Sequence, residues 1–466
     1  MSSIKLFLTS FLFILSTFYC TAQDSIVISG KIQNNTRFAK VVVKKFGVGS
    51  FDIAAVPIHQ GEFRIVAPKE TEPGVYRFQY SQNSLSEYVD VIIDGKEPLI
   101  SFSLDVANPI EDRAVVFSQS AQNKAWYGYK AEEKLRLKKL QALQNALALY
   151  PDSKDEIVKQ LKTAISKEQK SYDKAYQQFT KTYVGTWAGD MVANTRAYFT
   201  NPKDDWRIQD FEHRNHFWDA VDTKNPKLIH SPLYTEQILN YLQYYMNPEM
   251  QFGEEEMKAG FKKSVDTIVQ RFSGNDTTRR FAIKYLQLGF KDIGQEEVLQ
   301  YIDQKYAVAE QCNSNEPDEE LQKRLKGYEA LKIGNAAPEL YITDSTGTKL
   351  GLKDLPQDKI VLVFWASWCP HCTEEMPKIN QWASEQKDVL VIAISLDDNA
   401  EAYKQAIAAY PNMVHVCDLQ KWKGQTVQDY YIVATPTIIT LDKERKITGK
   451  YSNSEELIRN LEAKVK

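Results

Sequence analysis

The spacing of apolar and polar residues divides this chain into stretches of different period. Between 23 and 120, runs rich in β-branched and aromatic residues recur at 26–32, 40–45, 62–66, 75–80, 88–93 and 99–104. Gly, Pro and Asn punctuate them, and Asp94-Gly95 is a tight-turn signal. Tyr76, Phe78 and Tyr80 alternate with polar neighbours, as a half-buried strand requires. The stretch predicts an all-β, sandwich-like domain without a catalytic constellation. From 121 to 325 the period lengthens. Leu140, Leu143 and Leu147 share a helical face, and Pro151 ends that helix. Ser153-x-x-Glu156 then reads as a capping box opening a helix with Ile157, Leu161 and Ile165. Segments 236–245, 255–272, 278–289 and 296–305 are amphipathic too, their charges forming a solvated face. This middle region is expected to be all-α.

From 332 to 466 the two periods alternate. Residues 361–364 are wholly apolar, which predicts a strand buried on both faces. From Pro370 onward Met376, Ile379 and Ala383 fall on one helical face. A strand at 389–396, a helix at 400–410 and a strand at 413–417 follow, then helical residues at 422–430. A hairpin at 437–441 and 446–451 and a helix at 455–465 close the chain. Strand–helix–strand units ending in an antiparallel hairpin and a helix describe an α/β domain.

Length and charge add little except at the N-terminus. A chain of 466 residues accommodates about three domains. Its formal net charge of −3 gives no footprint for nucleic acid. Lys5, the apolar run 6–18 and Cys20-Thr21-Ala22-Gln23 have the layout of a secretory signal, residues 1–22, cleaved after Ala22. The run is short for a bilayer span. Cys20 admits a lipid or membrane anchor, but Tyr19 is bulky for the position before a lipidated cysteine. Export to the periplasm or cell envelope is expected either way.

Export alters the cysteine arithmetic. Without Cys20 there remain Cys312, Cys369, Cys372 and Cys417, too few in so large a chain for a disulfide scaffold. Cys369 and Cys372 stand where a buried strand turns into a helix N-terminus. There the free N–H groups and the positive dipole end favour a thiolate. A reactive thiol with a second thiol one turn away is the minimum for thiol–disulfide exchange. Other readings of the pair stay open. A c-type haem needs His after the second cysteine, where Thr373 stands; zinc would need further ligands such as His415 and Cys417; a structural disulfide is a third. Cys417, ending a buried strand, is expected to stay free of Cys312.

Trp365-Ala366-Ser367-Trp368-Cys369-Pro370-His371-Cys372 resembles the WAxWCxxC signature of the thioredoxin superfamily, and Glu375 with Pro377 resembles the E-x-P of its TlpA/ResA branch. Gly334-x-x-Ala337-Pro338 matches the opening of such domains, and Val433-Ala434-Thr435-Pro436-Thr437 matches their cis-proline loop. The resemblance covers 332–466. It implies a thioredoxin fold, Cys369 as nucleophile, Cys372 as the resolving thiol and the two as a redox-active disulfide. Val363 stands where ordinary thioredoxins bury an aspartate, and Glu375 would take over that acid–base role. Trp365 and Trp368 would shape an apolar surround, Pro370 and His371 would tune the thiolate, and Thr435 and Pro436 would guard the site and meet an incoming peptide. No metal or organic cofactor is implied, because the dithiol carries the electrons. The implied partners are disulfide-bearing envelope proteins and an upstream membrane or periplasmic thiol reductant. Gly61-Glu62-Phe63 and Phe117-Ser118-Gln119-Ser120-Ala121-Gln122-Asn123 weakly resemble a small β-rich domain of unknown function that precedes such domains.

Direction is contested within the motif. Pro370-His371 is the dipeptide of the oxidising enzyme DsbA, at roughly −120 mV, whereas Glu375 and the Gly334–Pro338 opening resemble a reducing branch. Partner choice is set by the surface around the site, so the expectation is a disulfide reductase or isomerase. A DsbA-like oxidase, a client-binding chaperone module and a relict thioredoxin scaffold are the alternatives. His213-x-x-His216 with Glu212 and Asp219 is more simply a packing or surface cluster than a metal site. Tyr183, Trp187, Tyr198, Trp206, Tyr241, Tyr244 and Tyr245 are expected to be core rather than a client groove.

Overall fold

The computed structural model describes residues 25–81, 86–108, 114–150, 154–201, 204–245, 253–312, 318–343 and 349–463. The expected signal at 1–22, with Cys20, lies outside the described residues, as does Ser153. The chain forms two compact units, Met1–Gly253 with Asp266–Ala282, and Glu254–Val265 with Ile283–Lys466. Among the described residues no helix is long and apolar enough to cross a membrane.

The first unit opens with β1 (Ser25–Gln33), β2 (Lys40–Phe46), β3 (Ser50–Pro57), β4 (Glu62–Pro68), β5 (Gly74–Gln79), β6 (Tyr88–Ile93), β7 (Leu99–Asp105) and β8 (Val116–Gln119). They make two four-stranded sheets, β4-β1-β7-β8 and β3-β2-β5-β6. Every pairing is antiparallel except β1 with β7. Alternation places Ile28, Ile65 and Phe102 of one sheet and Val43, Phe78 and Val91 of the other in a shared core, a sandwich. At Gly30 an added Cβ would lie 2.2 Å from the Phe63 ring, so only glycine lets β1 pass beneath it.

β5 departs from the half-buried expectation, because both of its faces are covered. Arg77, on the supposedly wet face, forks onto Asp90 at 2.8 Å through two nitrogens and stacks 3.6 Å over the Tyr88 ring. A paired and stacked guanidinium can be covered without leaving a donor unsatisfied.

Helices follow: α1 (Ala121–Ala148), α2 (Glu156–Thr182), α3 (Trp187–Ala193), α4 (Trp206–His216) and α5 (Leu233–Gln243). Leu140 and Leu147 of α1 pack with Val158 and Ile165 of α2, as the spacing requires. α2 begins at Glu156 with Asp155 as its cap, Ile157 N–H donating to Asp155 Oδ1 at 2.8 Å. The cap is thus two residues later than the expected Ser153, since an aspartate beside the first helical residue serves equally well. Of the tyrosines and tryptophans expected in the core, Trp187 and Tyr241 are buried and Tyr198 is exposed. Tyr198 stacks on His216, whose Nδ1 lies 2.7 Å from Asp219. Among the described residues no group of three metal-ligating side chains occurs.

The start of α1 does more than pack. Ser120 caps it, and the Glu97 carboxylate accepts from the Ala121 N–H at 2.6 Å. Fully buried Asn123 then accepts from Ile92 N–H at 2.8 Å and donates to Ile92 O at 2.9 Å. Tyr127 likewise accepts from Asp90 N–H at 3.1 Å and donates to Asp90 O at 3.0 Å. Four residues of helix rise about 6 Å and two residues of strand about 6.7 Å, so one helical face matches alternate residues of the outermost strand β6.

In the second unit lie parts of α6 (Glu254–Phe272) and α7 (Asp276–Asp292), then α8 (Glu296–Ile302), α9 (Val308–Cys312) and α10 (Glu319–Ala330). Between α8 and α9 a π-type turn holds Asp303, fully buried and met by Arg324 at 2.6 and 2.9 Å, Tyr328 at 2.8 Å and Gln287 at 2.6 Å. The α/β part adds β9 (Tyr341–Thr343), β10 (Lys349–Gly351), β11 (Lys359–Trp365), α11 (Pro370–Glu385), β12 (Val389–Ser395), α12 (Ala400–Ile407), β13 (Val414–Cys417), α13 (Gln425–Asp429), β14 (Thr437–Leu441), β15 (Ile447–Tyr451) and α14 (Ser454–Ala463). Its five-stranded sheet runs β13-β12-β11-β14-β15, the thioredoxin arrangement, with β11 at the centre. Both faces of β11 are buried, as its unbroken apolar run requires.

Replacing Asn123 with Ala should strip the Ile92 N–H and C=O of their partners inside the protein. At about 1–3 kcal/mol for a buried unsatisfied group, the first unit should lose about 2–4 kcal/mol. Chemical denaturation followed by far-ultraviolet circular dichroism would measure it, with an unchanged midpoint contradicting the pairing.

Candidate active site

Four residues carry the chain from β11 to α11. Leu396 N–H donates to Trp365 O at 2.8 Å, and Cys369 N–H donates to Ala366 O at 3.2 Å, closing a tight turn. Cys369 is the N-cap of α11 and Pro370 its first residue, a position where the missing N–H costs nothing. The Cys372 N–H points at Cys369 Sγ, 3.2 Å away. A sulfur capping a helix in this way has its thiolate stabilised by the free N–H groups, which lowers such thiols from about 8.5 into the ~3.5–7.5 range.

Cys369 and Cys372 are joined, with Cα atoms 5.3 Å apart. Their surroundings differ. Cys369 retains 5% exposure and lines a cleft of ≈ 470 Å³, whereas Cys372 is fully buried and does not line it. The Thr435–Pro436 bond is cis, as the loop's resemblance implied, and the Thr435 carbonyl lies 3.4 Å from Cys369 Sγ. Trp368, Pro370, His371, Thr435 and Pro436 all border the cleft. Trp365 does not. It is fully buried beneath the site, edge-on to Tyr410, because it ends the buried strand while Trp368 lies on the exposed turn.

Glu375 borders the cleft one turn beyond Cys372. Its Oε1 accepts from Lys378 at 2.7 Å and its Oε2 from the Ser454 N–H at 2.6 Å. Burial alone would raise its pKa, but the hydrogen bonds from Lys378 and Ser454 together hold it below the usual carboxylate value. Val363, in the place of the thioredoxin aspartate, is wholly buried among apolar neighbours.

Asp397 went unnoticed in the sequence. Almost completely buried, it accepts from Ser367 N–H at 3.1 Å, from Ser367 Oγ at 2.6 Å and from Ser395 Oγ at 2.6 Å. It thereby braces the turn just before Cys369. A Ser-x-Asp at the carboxyl end of a buried strand was the available signal. The zinc alternative lacks its ligands, because His415 Nε2 bonds the Tyr410 carbonyl at 2.8 Å and Cys417 Sγ lies 3.7 Å from the Asp397 carbonyl. Cys417 is free.

Part of the cleft lining comes from outside the α/β part. Residues Lys291–Gln295, from the end of α7 to the start of α8, border the cleft with Cys369. Glu296 is bound there to Lys450 at 2.6 Å and to Thr437 Oγ1 at 3.3 Å.

The Redoxin family model matches residues 332–465. The thiol-disulfide oxidoreductase ResA of Bacillus thuringiensis subsp. konkukian (strain 97-27) is 32% identical over 121 residues, 26% of this chain and 69% of that protein. The protein of the same name from Bacillus anthracis is 34% identical over 122 residues, again 26% and 69%. The crystal structure of a thioredoxin-like protein from Bacteroides caccae superposes with a TM-score of 0.38 at 18% identity, covering 57% of this chain and 97% of that one. Through its C-terminal domain, this chain belongs to the ResA-type thiol–disulfide oxidoreductases of the thioredoxin superfamily.

Proposed function

We propose that the protein works in the cell envelope, reached by export, and uses Cys369 and Cys372 to reduce or isomerise disulfides of other envelope proteins. The observation that carries this reading is the unequal burial of the two sulfurs: Cys369 faces the cleft and Cys372 is sealed behind it. In the reduced enzyme the Cys369 thiolate attacks one sulfur of a client disulfide. The client S–S bond breaks and its other sulfur leaves as a thiolate that takes a proton. Cys372, its proton passed to Glu375, then attacks Cys369 Sγ, frees the second client thiolate and closes the enzyme disulfide. Two electrons have moved to the client, and an upstream thiol reductant restores the dithiol. Thr435 would pair with the client backbone beside the sulfur, in the manner of an added strand.

Oxidase activity is the second reading, favoured by His371 beside Cys369. One purified preparation decides between them. A reductase should reduce scrambled protein faster than it oxidises a reduced, unfolded one, and the reverse order would overturn the assignment.

Alkylation at mildly acidic pH should reach Cys369 well before Cys372, read by mass spectrometry of the reduced protein. Equal rates, or a Cys369 pKa near the unperturbed ~8.5, would remove Cys369 as nucleophile.

Glu375 allows a pH test. Because its folded pKa lies below the ordinary carboxylate value of about 4.3, it stays ionised at neutral pH and protonates only as pH falls through that lowered value. Its stabilising contribution is therefore complete above about 4.3 and lost only in acid. Glu375→Gln keeps an acceptor for Ser454 but cannot take a proton. It should slow turnover about a hundredfold, at the low end of general acid–base contributions, by the same factor between about pH 5 and 8, without moving the alkylation pKa of Cys369. Unchanged turnover would assign Glu375 to tethering α14 alone.

A further inference from the structure

The α7–α8 connection is built to hold a shape. Ile293 N–H donates to Gly289 O at 3.2 Å, Gly294 N–H to Lys291 O at 3.1 Å and Gln295 N–H to Phe290 O at 2.9 Å, winding up the end of α7. Gly294 takes φ +69°, which a side chain would resist. On the near side Lys291 binds Glu320 at 2.7 Å, and on the far side Glu296 binds Lys450. This pinned loop carries an aliphatic side chain, Ile293, 48% exposed in the lining of the cleft that holds Cys369. Trp368 and Trp422, 47% and 38% exposed, line the same cleft. Apolar groups held in water around a reactive sulfur mark a surface completed by its substrate.

The charges narrow the choice. Asp292, Glu374 and Glu375 border the cleft against Lys291 and His371, and Asp292 and Glu374 are exposed. An anionic thiol compound such as glutathione disulfide would be repelled by these carboxylates, whereas a neutral or basic peptide would not be.

We infer that the α7–α8 loop is the specificity wall of this oxidoreductase, and that the cleft takes an extended, neutral-to-basic polypeptide segment with an apolar residue beside its disulfide-bonded cysteine. The inference rests on the proposed disulfide chemistry at Cys369 and adds which client that chemistry serves. Ile293 contacts the residue flanking the client cysteine. The loop lies outside residues 332–465, so this selectivity belongs to the helical segment rather than to the thioredoxin fold.

The test uses the mature chain with dithiothreitol as electron source and three disulfides. These are hydroxyethyl disulfide, glutathione disulfide, and a linear peptide whose one cysteine, disulfide-linked to mercaptoethanol, is flanked by phenylalanine, leucine and lysines. The wild type should prefer the peptide to glutathione disulfide at least tenfold in kcat/KM. Ile293→Asp should lower the ratio of kcat/KM for the peptide to that for hydroxyethyl disulfide about tenfold, the scale of one lost hydrophobic contact. Ile293→Leu should behave as wild type on all three. If Ile293→Asp matches wild type on the peptide, or slows every substrate alike, the loop is no specificity wall and the inference falls while the disulfide chemistry stands. A wild type inert toward all three disulfides would sink the proposed function and this inference together.

Discussion

A backbone can activate a sulfur only where a helix begins, and it can shield that sulfur only where a buried strand ends. This chain must satisfy both within the four residues Ala366–Cys369. Much of the second unit serves that constraint. β11 is central and buried on both faces, which fixes where the turn starts. Asp397 holds Ser367 by main chain and side chain, which fixes how the turn bends. A carboxylate removed from water without a cation is costly unless every lone pair is used, and the two serine hydroxyls with the Ser367 N–H provide for that here. The result is a sulfur whose position is set by two strands, so that the cis-proline loop and the cleft wall have a fixed object to meet.

The chemistry was legible in the sequence because it is local. The cysteines, the strand before them and the helix after them are encoded within a single stretch, and apolar runs of period two and 3.6 announce themselves without tertiary help. Trp365 and Trp368 show the limit of this. Both stand in the motif, but the point where the strand ends decides which is buried, and the motif does not mark it. The remaining misses are long-range. Asp397 reaches Ser367 from the end of the neighbouring strand, and Ile293 reaches the cleft from the end of a helix; Ser395 hints at the first, and no neighbour in sequence betrays the second. Periodicity also says that a helix has an apolar face but not which core that face meets, so the sharing of α6 and α7 between two units was not readable from 121–325 alone. β5 was misjudged for a related reason: Arg77 looks wet until Asp90 and Tyr88 are placed against it.

The helical additions have their own source of definition. Asp303 and Arg324 form a buried ion pair, and any arrangement that parts them would strand a charge in the interior. Gln287 and Tyr328 fill the remaining acceptor sites of the carboxylate, tying α7, the π-type turn and α10 to one arrangement. That rigidity matters beside the active site, because α7 ends in the loop that borders the cleft with Cys369.

The pairing of α1 with β6 bears on a hazard of any open sheet. An uncovered edge presents unpaired N–H and C=O groups that recruit strands of other chains. In the β3-β2-β5-β6 sheet one boundary strand, β6, has the N–H and C=O of Asp90 and Ile92 already taken by Tyr127 and Asn123. The other, β3, is distorted by a register shift at Val43/Lys44, carries Asp52 and ends at Pro57. Neither boundary offers the long flat ladder on which a foreign strand could grow. Both boundaries of this sheet are thus closed to added strands, so another chain that meets it finds no template on which to aggregate.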